Sequence, residues 1–316
     1  MADLKLFFAT DIHGSDRCFR KFLNAAGFYG TDILLMGGDM TGKMVLPVVR
    51  QAGGTFATRL AGRERVVDAE ELPALKTMVA DAGLYPHECD PDELAALEAD
   101  AAAVDALFRR LMEEKLERWL ALAAERLDGR CVCLMAPGND DPAFVDSLLD
   151  ASDVVVNPEG RVVELPGGFE LVSVGTSNPT PWDTPRELPE EELADAIAAA
   201  AAGVTQPERA IYNLHVPPKE TALDQAILLD DDLRPVLQSG SPVVGGVGSS
   251  AVRAALERDQ PLLGLHGHIH ESRGEVKLGR TVSLNPGSEY GEGVLRGVIV
   301  TLSEKKGLRG WQFVAG

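Results

Sequence analysis

The sequence has no long hydrophobic segment, few aromatic residues and few cysteines. No window reaches about 18 uninterrupted apolar residues, which excludes a membrane-spanning helix. The N-terminus has no basic leader followed by an apolar core, so we expect a cytoplasmic protein with no membrane partner. The cysteines are scattered without the spacing of a zinc site, and we expect reduced thiols. They are Cys18, Cys89, Cys131 and Cys133.

Positive charge is also scarce. The chain has 30 Lys and Arg against 49 Asp and Glu, a formal net charge of −19 over 316 residues. The segment from Glu64 to Asp128 carries 17 acidic and 7 basic residues, so its net charge of −10 is about half of the total. Because such a surface repels a phosphate backbone, we expect no nucleic-acid partner. A small phosphate ester is not excluded, since bound cations reverse the local charge.

What the sequence does contain is an alternation of short apolar runs with helical patterns, which is typical of an α/β fold. A helix is predicted from about residue 15 to 26. The predicted strands are 5–10, 32–38, 131–137, 169–175, 210–214, 261–265, 281–284 and 297–302.

A segment of different composition separates the second and third of these strands. It contains a hairpin pattern at 53–67, a short helical pattern at 70–82, and apolar residues at helical spacing from about Pro91 to Leu127. The last pattern predicts one amphipathic helix or two kinked ones. We therefore predict a single domain over 1–316 with a mainly helical cap inserted at 44–129. The apolar stripe of the long helix packs on the body or on a second copy, so a homo-oligomer through the helical insertion is one expectation.

Short polar clusters follow five of the predicted strands directly. In α/β sheets the loops beyond the carboxyl ends of strands converge on the ligand crevice, so these clusters are expected to meet. They are Asp11-Ile12-His13, Gly38-Asp39, Gly138-Asn139-Asp140-Asp141, Asn213-Leu214-His215 and His266-Gly267-His268-Ile269-His270.

Each cluster alone is weak evidence, because Asp and His also cap helices and Gly and Asn also form turns. Together they supply two Asp, one Asn and several His, which suits Mn, Fe, Zn, Co or Ni better than calcium. Side chains two residues apart on an extended segment point to the same side, so His268 and His270 can both face the crevice and serve two metals about 3.5–4 Å apart. Asp39 is the candidate for the bridging carboxylate. The sequence thus predicts two divalent transition-metal ions, with Mn preferred and Fe, Zn, Ni or Co as alternatives.

This ordered set of motifs resembles the calcineurin-like metallophosphoesterase superfamily. The segments 215–218 (HVPP) and 285–288 (NPGS), and the helical insertion with Tyr85-Pro86, resemble a predicted-phosphoesterase branch of bacterial and archaeal proteins. The resemblance implies a four-layer α/β/β/α sandwich of two mixed sheets. It also implies that Asp39 bridges two metals together with a water or hydroxide. The ligands of one metal would be Asp11, His13 and His270, and those of the other Asn139, His215 and His268.

Two positions depart from the superfamily pattern. Asp140 stands where a histidine usually assists the leaving group, and Thr41 stands where an aspartate usually orients that histidine. We predict attack of a metal-bridging hydroxide on a small phosphate ester, most readily a diester. Leaving-group protonation falls to Asp140, His266 or solvent, and His266 could instead orient a neighbouring ligand. The catalytic candidates are thus Asp39, Asp140 and His266.

Two other readings of the same site remain open. One is a phosphomonoesterase or protein phosphatase. The other is a non-catalytic interaction scaffold, because a subunit of retromer that resembles this superfamily uses the fold to bind partners.

Overall fold

The computed structural model describes residues 3–127, 129, 131–230 and 232–316 of the chain. Its first six-stranded sheet has the strand order β20-β19-β1-β2-β7-β8, with parallel pairing from β1 to β8 and antiparallel pairing of β19 with both neighbours. Its strands are β1 (Leu4–Ala9), β2 (Ile33–Met36), β7 (Val132–Met135), β8 (Val155–Val156), β19 (Arg296–Ser303) and β20 (Gly307–Ala315).

The second six-stranded sheet is also mixed. Its order is β17-β18-β16-β11-β10-β9, in which the four central strands are parallel and both edge strands are antiparallel to their neighbours. Its strands are β9 (Val162–Leu165), β10 (Phe169–Val174), β11 (Ala210–Leu214), β16 (Leu263–Leu265), β17 (Gly274–Leu278) and β18 (Thr281–Asn285).

Three hydrophobic clusters define the layers. One lies between the two sheets, one lies between the first sheet and its helices, and one lies between the second sheet and its helices. The arrangement is the predicted four-layer α/β/β/α sandwich. The helices on the first sheet are α1 (Asp16–Tyr29), α4 (Ala101–Arg126) and α5 (Phe144–Asp150), and those on the second are α6 (Glu190–Ala201) and α7 (Ser250–Asp259).

The apolar run of β1 shows why the sequence forms this sandwich. Phe7 packs into the cluster under the helices, whereas Phe8 packs between the sheets. Leu34 and Leu35 of β2 divide in the same way. Successive side chains of a strand point to opposite faces, so a strand that is covered on both faces reads as a continuous apolar run.

The insertion consists of a four-stranded sheet and three helices. The sheet order is β5-β4-β3-β6, and the predicted hairpin is formed by β4 and β5 around Ala61 and Gly62, both with positive φ. Asp128, near the predicted end of the cap, lies outside the described residues. The strands are β3 (Val45–Arg50), β4 (Phe56–Leu60), β5 (Arg63–Val67) and β6 (Tyr85–Cys89), and the remaining helices are α2 (Leu72–Asp81) and α3 (Pro91–Ala99).

The long helical pattern is broken at Asp100 into α3 and α4. The Asp100 carboxylate accepts hydrogen bonds from the backbone N–H groups of Ala102 and Ala103, so it caps the start of α4. In the part of the chain that the structure describes, no helix is both long and apolar enough to cross a membrane.

Two short antiparallel ribbons lie beyond β11. They are formed by β12 (Gln225–Ile227) with β15 (Val244–Gly246), and by β13 (Leu237–Gln238) with β14 (Ser241–Pro242).

Candidate metal centre

The polar clusters meet where the parallel strands of both sheets end. β1, β2 and β7 are neighbours in the first sheet, and β11 and β16 are neighbours in the second. The loops after these strands bring together all seven residues that the sequence predicted as ligands. They are Asp11, His13, Asp39, Asn139, His215, His268 and His270.

One group of these side chains surrounds Asp11. The Nε2 atoms of His13 and His270 are 3.1 Å apart, and His270 Nε2 is 3.4 Å from Asp11 Oδ1. Asp39 Oδ2 lies 3.7 Å from His13 Nε2. Asp11, His13 and His270 could therefore hold one cation between them.

The remaining side chains lie on the other side of Asp39. Asn139 Oδ1 and His268 Nδ1 are 2.7 Å apart, and His215 Nε2 is 3.4 Å from Asp39 Oδ2. The same carboxylate oxygen of Asp39 thus approaches a histidine of each group. Asp11 Oδ1 is also 3.8 Å from His215 Nε2, so the two groups are in direct contact.

Four of the seven residues have a left-handed backbone. The φ angles of Asp11, His13, Asp39 and His268 are 54°, 37°, 49° and 65°. This conformation is uncommon for residues other than glycine, and where such strain occurs it clusters at functional sites.

The glycines before two of these residues are required by close approach. A Cβ on Gly138 would lie 2.2 Å from Asp39 Oδ1, and a Cβ on Gly267 would lie 2.2 Å from Asp11 Oδ2. Any larger residue would displace a carboxylate of the cluster. The Gly in the Gly-Asn and Gly-His motifs therefore has a packing reason.

Asp141 joins the loops after β2 and β7. Its buried carboxylate accepts hydrogen bonds from the backbone N–H groups of Met40, Thr41 and Gly138 and from the Thr41 hydroxyl, at 2.7–3.0 Å. Thr41, which replaces the usual aspartate, is therefore part of this clamp. The clamp fixes the two residues after Asp39 and the residue before Asn139.

The end of β18 and the residues that follow it hold the loops after β1 and β16. Asn285 Nδ2 donates to the carbonyls of Gly267 and Ile269, on either side of His268. The Ser288 hydroxyl donates to the carbonyl of Asp11 at 2.7 Å. These bonds connect the Asn-Pro-Gly-Ser segment to residues of both groups.

The electrostatics of the cluster favour bound positive charge. Burial lowers the pKa of His13 to about 3 and of His268 to about 4, so both rings are neutral and keep a lone pair. Burial would also lower the pKa of His215, but Asp39 and Asp11 raise it to about 10. Burial would raise the pKa of Asp39, yet His215 and His13 hold it well below its usual range.

The donor set fits a divalent cation. His215 Nε2 is buried and has no hydrogen-bond partner of adequate geometry among the described residues. Carboxylate, amide and imidazole donors without thiolates match Mn, Fe, Co, Ni or catalytic Zn. The buried Asp and His side chains could therefore hold a divalent metal.

A cavity of about 780 Å³ opens beside the cluster. Asp39, Asn139, His268 and His270 form part of its wall, and α4 of the insertion forms another part with Phe108, Arg109 and Met112.

Asp140 and Lys43 also line this cavity. Lys43 Nζ is 2.6 Å from Asp140 Oδ2, which in turn is 3.7 Å from His13 Nδ1. Burial and Asp39 raise the pKa of Asp140 to about 6. The sequence analysis missed Lys43, although it follows Asp39 by four residues in the same loop. It also missed Tyr290, whose ring centroid is 4.7 Å from that of His13.

His266 is placed differently from the other candidates. Its ring is fully buried, Nδ1 lies 2.7 Å from the carbonyl oxygen of Leu214, and burial lowers its pKa to about 4. It is not among the residues that line the cavity. This geometry agrees with the alternative role, since Leu214 directly precedes His215.

No protein-family model matches the chain. An uncharacterised protein of Methanocaldococcus jannaschii is 30% identical over 155 residues, which is 48% of this chain and 62% of the relative. The match thus spans about three fifths of the relative's length.

Among solved structures, one crystal structure covers 99% of both chains with a TM-score of 0.60 at 15% identity. A novel archaeal phosphodiesterase covers 99% of this chain and 100% of its own, with a TM-score of 0.39 at 10% identity. Other structural neighbours are phosphoesterases and a 5'-nucleotidase precursor. The first match shows the fold alone, and the lower scores carry no argument about activity. The likeness agrees with the predicted four-layer α/β/β/α sandwich.

Proposed function

We propose that this chain is a metal-dependent phosphoesterase that hydrolyses small phosphate esters, with phosphodiesters as the main substrates. One observation carries the proposal: two carboxylates, one amide and four imidazoles converge beside an open cavity of about 780 Å³. Metal-assisted hydrolysis needs ligands of this kind next to a space that admits the substrate.

We assign one cation to Asp11, His13 and His270 and share Asp39 between the two sites. The second cation is assigned to Asn139, His215 and His268, with Mn as the preferred ion at both positions. When bound, the two cations would lower the pKa of a water and offset charge on the phosphate. Two observations support this assignment. One is the short distances from Asp39 Oδ2 to His13 and His215, and the other is that His215 Nε2 makes no hydrogen bond to any described residue.

The proposed reaction is the hydrolysis of one phosphate ester bond. The oxygen of water forms a bond to phosphorus, the bond from phosphorus to the leaving oxygen breaks, and the leaving group takes a proton unless it departs as an anion. Asp140 and Lys43 line the cavity into which that group would depart, so we assign its stabilisation to this pair. A phenolate needs no proton, so activated aryl diesters are expected to react fastest and alkyl monoesters slowest.

We propose the insertion at 44–129 as a cap within a single domain. Its helix α4 contributes Phe108, Arg109 and Met112 to the cavity wall. The acidic surface of the cap favours small substrates over nucleic acids. A long nucleic acid would have to cross this surface, whose negative charge repels the phosphate backbone. Association of two copies through the cap stays a prediction.

The test combines metal analysis with hydrolysis. The protein is stripped with a chelator and reloaded with Mn²⁺, and release of p-nitrophenolate is compared for bis(p-nitrophenyl) phosphate and p-nitrophenyl phosphate. We expect Mn-dependent turnover that favours the diester, loss of activity in Asp39→Asn, and no loss in Asp195→Asn, a matched change at an exposed position of α6.

Three outcomes would contradict the proposal. Fewer than one tightly bound metal per chain without rescue by Mn²⁺ would refute the enzyme. Faster turnover of the monoester would favour the phosphomonoesterase or phosphatase. Bound metal without hydrolysis of either ester would favour the scaffold.

A further inference from the structure

A second cavity adjoins the metal centre on the side away from the cap. Its volume is about 360 Å³, and it lies between the loop at 178–182 and the ribbon of β12 and β15. Trp182, His268 and Glu271 line both this cavity and the larger one. The two cavities therefore meet at His268, which is one of the residues we assign to the metals.

The second cavity is mainly apolar. Its wall includes Ile227, Leu229, Val247 and Ile269. Two apolar side chains on its rim are unusually exposed, since Trp182 is 60% and Ile227 is 43% accessible. An apolar recess with accessible apolar walls gains free energy when it buries an aryl or alkyl group.

We propose that the enzyme binds a phosphodiester with one ester substituent in each cavity, and that the second cavity selects an apolar or aromatic substituent that stays on the phosphate. This inference rests on the proposed function. Two cavities meet at His268. A phosphate bound at the metal ligands could place a substituent in each of them only if it is a diester, because a monoester has one substituent.

The position of Asp140 and Lys43 decides which substituent leaves. Among the described residues, this charged pair lines the first cavity alone and lies beside His13, with Asp140 Oδ2 3.7 Å from His13 Nδ1. The second cavity also has a lysine, Lys219, but its side chain is exposed to solvent. A leaving oxygen that gains negative charge is stabilised by a cation or a proton donor nearby. The leaving group therefore occupies the first cavity, and the substituent in the second cavity remains on the monoester product.

Two substrates with the same leaving group isolate the second cavity. Phenyl p-nitrophenyl phosphate and methyl p-nitrophenyl phosphate both release p-nitrophenolate, but only the first retains an aryl group. We expect wild-type kcat/KM with Mn²⁺ to favour the phenyl diester by about tenfold. Because both substrates meet the same metal site and release the same leaving group, their ratio reports the effect of the retained substituent.

Two variants alter the second cavity without touching the metal ligands. Leu229→Trp enlarges a side chain of the apolar wall and is expected to lower the phenyl-over-methyl ratio by about fivefold or more. Ile227→Ser removes apolar wall at a 43% exposed position, where loss of folding is not expected, and should lower the ratio about two- to threefold. Leu237→Ser is the matched control, since Leu237 is 62% exposed on the neighbouring ribbon and lines neither cavity.

Calorimetry provides a readout that does not depend on turnover. Diphenylphosphinate, which has no ester bond to hydrolyse, is titrated into the Mn-treated protein and compared with methylphenylphosphinate. We expect tighter binding of the diphenyl compound in the wild type and in Leu237→Ser, and a reduced difference in Leu229→Trp and Ile227→Ser.

Two results would overturn the inference. One is a wild-type kcat/KM for the phenyl diester that is less than about twice that for the methyl diester. The other is an equal fall of this ratio in Leu237→Ser and Ile227→Ser. If neither diester is hydrolysed, the proposed function fails, and equal binding of the two phosphinates then overturns the inference as well.

Discussion

Lys115 of α4 is the buried charge whose removal has the most predictable effect on stability. Its side chain is 2% exposed, and its Nζ donates a hydrogen bond to the carbonyl of Gly14 at 2.5 Å. The ammonium also lies 4.5 Å from the centre of the Tyr85 ring and 3.8 Å from Asp16 Oδ1. Burial outweighs these contacts and lowers the pKa of Lys115 from 10.5 to about 8.

This lowered pKa makes stability depend on pH in a definite direction. Below about pH 8 both the folded and the unfolded chain carry the proton, so the charged side chain destabilises the fold by about 3 kcal/mol relative to its neutral form. Between pH 8 and 10.5 the unfolded chain binds more protons than the folded one, and the free energy of unfolding therefore rises with pH. About 2 kcal/mol of the change falls between pH 7.5 and 10.

Urea unfolding of the wild type and of Lys115→Met across this pH range measures the effect. The difference in unfolding free energy, wild type minus variant, should rise by about 2 kcal/mol from pH 7.5 to 10. Lys115→Arg is the control, because a guanidinium keeps its charge over this range and its difference from Lys115→Met should not change. A wild-type difference that changes by less than about 0.5 kcal/mol would refute the reasoning.

Three further substitutions test the site. Asp141→Asn puts an amide where four donors converge, and we expect a loss of about 3 kcal/mol or more in urea unfolding; an unchanged midpoint would contradict the clamp. Gly267→Ala places a Cβ 2.2 Å from Asp11 Oδ2, so Mn²⁺ affinity by calorimetry should fall at least about tenfold while circular dichroism is unchanged. Lys43→Met removes the ammonium at Asp140, and kcat/KM for aryl diesters should fall about tenfold at unchanged metal content; equal kinetics would exclude a role for the charge.

The sequence was sufficient to predict the body of the fold because its strands are covered on both faces. Runs such as 6–9 (Leu-Phe-Phe-Ala) and 33–36 (Ile-Leu-Leu-Met) are continuously apolar, and each lies in a strand of the first large sheet. The strands of the insertion are covered on one face or neither, as in the exposed pattern of β5. β3 and β6 also contain Pro47 and Pro86, which argue against a strand when only the sequence is read.

The residues of the metal centre were predictable for a different reason. Each follows a strand directly, so the local pattern and the convergence of strand ends indicate the same place. Lys43, Asp141 and Tyr290 approach that place through loop conformation, which no periodicity encodes. His266 is the opposite case. Its position after a strand predicted a place at the cavity, but its ring packs against the carbonyl of Leu214.

Helix α4 connects the insertion to the chemistry without supplying a metal ligand. Trp119 stacks on Phe19 of α1 with ring centroids 4.2 Å apart, and Lys115 binds the carbonyl that directly follows His13. Toward its N-terminus, on the same side of the helix, Phe108 and Met112 line the cavity. Because all these residues recur at three- and four-residue steps, one helix face both anchors the insertion on the body and shapes the space beside the metal ligands. Variation in this face would therefore change the shape of the cavity while leaving intact the strand ends that carry the candidate metal ligands.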